Sequence, residues 1–96
     1  MKIKMKRNPD LIYRSIAGES VLVPTGQLAQ MFNGMITLNE VAAFIWENLE
    51  KVDSQDELLQ LVLDEFEVEE AAADADVNGF LRMLLERGFA TLEQYE

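Results

Sequence analysis

The sequence predicts an α+β fold, a three-stranded antiparallel sheet followed by three helices in the order βββααα. Three observations carry this. The first third holds short runs of strand formers separated by turn residues. The remainder holds three segments in which apolar residues recur at helical spacing behind recognisable caps. The chain has 96 residues, enough for one core and one domain spanning 1–96.

The elements follow in order. Met1 to Arg7 is basic, and its alternation Lys2-Ile3-Lys4-Met5-Lys6 leaves two readings open, a flexible solvated arm over 1–8 or an edge strand. Asn8-Pro9-Asp10 signals a turn, and Leu11 to Ile16 reads as the first strand of the sheet. Ala17-Gly18-Glu19 makes a tight reversal in which Gly18 supplies the positive φ. Glu19 to Val23 is the second strand, ended by Pro24, which has no backbone donor. Gln27 to Thr37 is expected to form a hairpin containing the third strand, because Asn33-Gly34 is the strongest turn signal in the chain.

The helices come next. Asn39 caps a first helix whose stripe is Val41, Ala42, Ile45, Trp46, Leu49 and Val52, with Phe44 off the stripe. Ser54-x-x-Glu57 is a capping box opening a second helix that buries Leu58, Leu59, Val62 and Phe66. A third helix runs from about Glu70 to Arg87 and stops at Gly88. Phe89 to Leu92 is expected as a short terminal strand.

Composition narrows the function. Eighteen acidic residues against eight basic ones give a net charge of -10, which argues against nucleic acid as a partner. With no cysteine and no histidine, thiolate chemistry, disulfides and the commonest general base are excluded. No apolar run has the roughly 18 residues a membrane span needs, and the start lacks the apolar stretch of a secretion signal. A cytoplasmic protein without membrane contact is the simplest expectation.

The one metal-like motif is better explained as a helix. Asp74-x-Asp76-x-Asn78-Gly79 matches the start of a calcium loop, but the closing twelfth position is Leu85 where a bidentate Glu is required. Val77, Phe80, Leu81 and Leu84 meanwhile keep helical spacing through it. The serines have no histidine to activate them, and no glycine-rich phosphate loop opens a helix. We therefore expect neither an enzyme, nor a cofactor, nor a metal site.

What remains is a binding surface. A small sheet ends in an edge whose unpaired N–H and C=O groups accept an extended peptide as an added strand. Met31, Phe32, Met35, Ile36 and Thr37 fall at that expected edge, and methionine suits an adaptable groove. The third helix has more apolar positions than one stripe needs. With Val77 central, Leu85 and Met83 lie on opposite flanks, about 80° and 120° away. Asn78 and Arg82 share the Leu85 flank, so Asn78, Leu81, Arg82 and Leu85 complete the candidate peptide-binding set.

The chain resembles the PqqD family, the small domains also called RiPP recognition elements. The resemblance lies in Tyr13-Arg14-Ser15-Ile16-Ala17-Gly18-Glu19-Ser20-Val21-Leu22, in Leu38-Asn39-Glu40-Val41-Ala42-Ala43-Phe44-Ile45-Trp46-Glu47-Asn48-Leu49, and in Asp76-Val77-Asn78-Gly79-Phe80-Leu81-Arg82-Met83-Leu84-Leu85-Glu86-Arg87-Gly88. It spans roughly residues 9 to 92, and the chain departs from the family between Pro24 and Leu38, where it is longer. The resemblance implies a winged helix-turn-helix-like fold and a non-catalytic adaptor. Such adaptors bind the leader of a ribosomally made precursor peptide between the third strand and third helix. They present it to a modifying enzyme, often a radical SAM enzyme. The rivals are a winged-helix nucleic-acid binder, whose second helix, Ser54 to Phe66, would need the basic residues it lacks, and a subunit that only stabilises an enzyme. A monomer or a weak homodimer paired through the open edge is expected.

Overall fold

The computed structural model describes residues 2–95. It is a mixed α+β structure with two sheets. The strands are β1 (Lys2–Arg7), β2 (Leu11–Ile16), β3 (Glu19–Pro24), β4 (Ile36–Leu38) and β5 (Ala90–Tyr95). The helices are α1 (Gly26–Met31), α2 (Glu40–Asn48), α3 (Gln55–Glu65) and α4 (Glu70–Glu86), with one 3₁₀ turn at Leu49–Lys51. β2, β3 and β4 form the expected antiparallel sheet in that order, and β1 and β5 form a separate two-stranded ribbon.

The β2–β3 hairpin turns on two residues with positive φ, Ala17 at 52° and Gly18 at 82°. That is the turn class whose twist matches the strands it joins, though it asks alanine to adopt a left-handed conformation. The register pairs Tyr13 with Leu22 and Leu22 with Ile36, so these three side chains share the inner face of the sheet. Leu22 at their centre is completely buried. The Tyr13 and Ser20 hydroxyls are 2.8 Å apart on that same face.

The expected hairpin over Gln27–Thr37 does not form. Gly26–Met31 is a short helix, and only Ile36–Leu38 is strand, paired with β3. The physical reason is side-chain direction. As a helix, Leu28 and Phe32 stand one turn apart and reach the core together, Leu28 buried and Phe32 packed against it. An extended Gln27–Phe32 would have no sheet neighbour to satisfy its backbone. Asn33-Gly34 still turns the chain, with Gly34 at φ 88°, but the turn joins a helix to a strand.

The helices follow their caps closely. The Asn39 side chain accepts from the Ala42 backbone N–H at 2.8 Å, and Ser54 Oγ accepts from that of Glu57 at 3.1 Å. The first helix ends earlier than its stripe: α2 stops at Asn48, and Leu49–Lys51 tightens to a 3₁₀ turn that still buries Leu49. Phe44, off the stripe, packs edge-on against Phe66 with ring centres 5.4 Å apart. α4 ends in a Schellman closure: the Phe89 N–H reaches the Leu84 carbonyl at 2.8 Å and the Gly88 N–H the Leu85 carbonyl at 3.3 Å. Gly88 takes φ 73°, which its missing Cβ permits. One apolar cluster joins sheet and helices, with Ile45, Leu58, Val62, Val77, Leu84 and Phe89 at its fully buried centre.

The basic start is an edge strand. β1 pairs antiparallel with β5 from Lys2–Tyr95 to Arg7–Ala90, and β5 is longer than the expected Phe89–Leu92. Among the described residues, no helix is long and apolar enough to cross a membrane.

Candidate functional site

β4 is the last strand of its sheet, so among the described residues its outer edge carries no strand partner. It has only three residues, and its chain neighbours mark its direction. Upstream, Phe32 meets Phe89 just beyond the end of α4, edge to face at 5.0 Å. Downstream, Asn39 borders a hollow of about 130 Å³ with Val41, Ala42 and Ile45 of α2 and Asp76 and Phe80 of α4. β4 therefore runs opposite to α4, from its C-terminal end toward its middle. The seam between them is apolar at the base, where half-buried Phe80, Met83, Phe32 and Ile36 pack on the core.

A second, larger groove of about 340 Å³ lies on the other flank of α4. Its apolar walls are Met5 and Leu92 from the ribbon, Leu49, Val52 and Leu58, and Leu81 and Leu85 of α4. Met5 and Leu92 are cross-strand partners, which is why they meet on this face. Asp53, Ser54 and Gln55 form its polar rim.

The nine residues named from the sequence divide between these places. Ile36 and Thr37 lie in β4, Ile36 inward and half-buried, Thr37 outward and exposed. Met31 and Met35 flank the Asn33-Gly34 turn with large exposures, 74% and 58%. Leu81 and Leu85 meet in the second groove, away from β4. Asn78 and Arg82 are exposed on that same flank. The structure thus brings the β4 group together and places the α4 group elsewhere. The α4 residues that share a hollow with Asn39, the residue after β4, are Asp76 and Phe80, which periodicity could not single out: the two flanks are near mirror images about Val77. The available signal was Phe80, an aromatic about 60° off the stripe centre on the Met83 side.

A third hollow of about 330 Å³ holds Arg7, Asn8, Pro9, Leu11, Tyr13, Trp46 and Glu50. Its charges are already engaged. The Arg7 backbone N–H donates to a Glu50 carboxylate oxygen at 2.8 Å. The Arg7 guanidinium donates to the Trp46 carbonyl at 3.3 Å and lies 5.7 Å from the indole ring centre. The Arg7 amide, with the guanidinium and Lys6 adding positive charge, holds the Glu50 carboxyl below its ordinary range. The Asp74–Gly79 segment is helical throughout, and among the described residues no group of acids is placed to hold a metal ion.

The model of the family "Coenzyme PQQ synthesis protein D (PqqD)" matches residues 19–90, and the chain belongs to that family. No curated protein matches it. Two solved structures share the fold. One is described as "TbiB1 in Complex with the TbiA(beta) Leader Peptide", with TM-score 0.67, 24% identity, and 95% of this chain and 98% of that one covered. The other is "Lasso peptide synthetase B1 complexed with the leader peptide", with TM-score 0.72, 24% identity, and coverage of 92% and 98%.

Proposed function

We propose that this chain is a non-catalytic adaptor that binds the leader of a ribosomally made precursor peptide by strand addition and presents it to a modifying enzyme. The observation that carries this reading is the unpaired outer edge of β4, which leads at Asn39 into a hollow between α2 and α4 with an apolar floor and a polar rim of Asn39 and Asp76. Family membership supports it, as do two proteins of the same fold whose descriptions name a leader peptide.

In this reading the guest's main chain pairs with Ile36–Leu38, and one side chain enters the hollow floored by Val41, Ala42, Ile45 and Phe80. Thr37, Met35, Met31 and Phe32 border the guest's other end. Asn78, Leu81, Arg82 and Leu85 do not touch it. The partner enzyme is of the radical SAM kind, and the meeting takes place in the cytoplasm, where precursors are made.

The test is calorimetric titration with the leader segment encoded beside this chain's gene. Saturable binding near the micromolar range, about -8 kcal/mol, is the expected outcome. Ala42→Phe, which fills the hollow, weakens that binding roughly tenfold or more while the far-ultraviolet circular dichroism is kept. A leader that gives no heat at high concentration overturns the proposal.

A further inference from the structure

The seam beside β4 is electrically polar along its length. Counting about 100° per residue from Val77, the flank of α4 nearest β4 carries Glu69, Asp76, Phe80, Met83 and Arg87. Glu69 lies at the start of α4 and Asp76 toward its middle, in the hollow with Asn39. Arg87 caps the opposite end. Among the described residues the ion pairs are Lys4–Asp53 and Arg7–Glu50, so no protein cation pairs with Asp76 and no protein acid with Arg87.

We infer that the seam selects its guest peptide by charge order: Lys or Arg beside the apolar anchor at the guest's N-terminal side, Asp or Glu toward its C-terminal side. The direction follows from the strands. A guest antiparallel to β4 runs along α4 in the helix's own sense, because β4 runs against it. Its earlier residues then face Asp76, and its later ones face Arg87. The spacing follows from the rises. The eleven residue steps from Asp76 to Arg87 span about 16 Å of helix, which equals about five residues of extended chain. A reversed guest sets like charges together at both ends, so the same pattern rejects the wrong direction.

This inference rests on the strand-addition reading, and one experiment separates their failures. The probe is a messenger-RNA-displayed library of random twelve-residue peptides, selected on the intact chain. The expected winners carry Lys or Arg next to an aliphatic or aromatic residue, and Asp or Glu about five residues later. For the best of them, Asp76→Asn raises Kd roughly two- to fivefold at low salt, and the difference closes in half-molar salt. Asp64→Asn, on α3, leaves Kd unchanged. Winners with random or reversed charge order, or indifference to Asp76→Asn, overturn the charge selection and leave the adaptor reading standing. A library that yields no binder takes both down.

Discussion

The two sheets of this protein treat their edges in opposite ways. The β1–β5 ribbon is tied down along its charged strand: Arg7 to Glu50 and Trp46, Lys4 Nζ to Asp53 at 3.9 Å, and the Asn8 side-chain amide to the Gly88 carbonyl at 2.9 Å. The sheet of β2–β4 ends in a three-residue strand with no neighbour beyond it. The second sheet has two outer strands, the six-residue β2 and the three-residue β4, so what sets β4 apart is its length. The terminal strands pair with each other, and β1 also packs on the 3₁₀ turn. β4 is too short to attract a strand unless flanking contacts reward it. Flanking contacts from the α4 hollow supply that selectivity in the adaptor reading.

Phe89 joins the two regions, and its loss carries the largest expected effect. It is wholly buried, meets Phe32 edge to face, and its carbonyl accepts from the Asn8 backbone N–H at 2.9 Å. Phe89→Ala is expected to cost about 3–5 kcal/mol, read as a shifted urea midpoint, and to loosen ribbon and seam together. Retention of peptide binding in folded Phe89→Ala protein would show the two regions to be independent.

The ribbon alone is loosened by Arg7→Ala. This removes the guanidinium contacts to Glu50 and Trp46 but keeps the Arg7 amide bond. About 1 kcal/mol is expected, because the pair is roughly a third exposed and screened accordingly. A pH dependence accompanies it. Glu50 has its folded pKa lowered from the ordinary value of 4.5, so its contribution is present above that value and is lost as pH falls through the lower folded one. Acid titration of stability should be flatter in Arg7→Ala than in the parent over that window.

The hairpin of the open sheet should tighten with Ala17→Gly. Residue 17 holds φ 52° and is exposed, so glycine removes strain without losing packing. A gain of roughly 0.5–1 kcal/mol in thermal unfolding is expected, with binding at β4 unchanged. Smallest of all is Lys4→Ala. Its pair with Asp53 is long and half in solvent, so less than about 0.5 kcal/mol should be lost, and that only at low salt.

Local features were legible in the chain. Asn39, Ser54 and Gly88 announced three helix ends because capping is a bond between residues a few positions apart. Ala17-Gly18 announced the first hairpin for the same local reason. The segment 26–37 misled, because the turn at Asn33-Gly34 is real, whereas helix or strand before it depended on whether Leu28 and Phe32 had a core to enter. The two flanks of α4 were ambiguous for a similar reason. Periodicity put both Leu85 and Phe80 beside the buried stripe, and only the placement of Asn39 and α2 near Phe80 and of the ribbon near Leu85 distinguished them.

Spacing along the chain, then, settled which residues turn, cap and face inward, because those choices are made between neighbours within one or two turns of backbone. Which strands end the sheet, which flank of α4 meets Asn39, and that the basic start folds back on the far end were decided in three dimensions. Those outcomes join residues dozens of positions apart, such as Met5 with Leu92 and Asn39 with Asp76, whose pairing depends on the packed core.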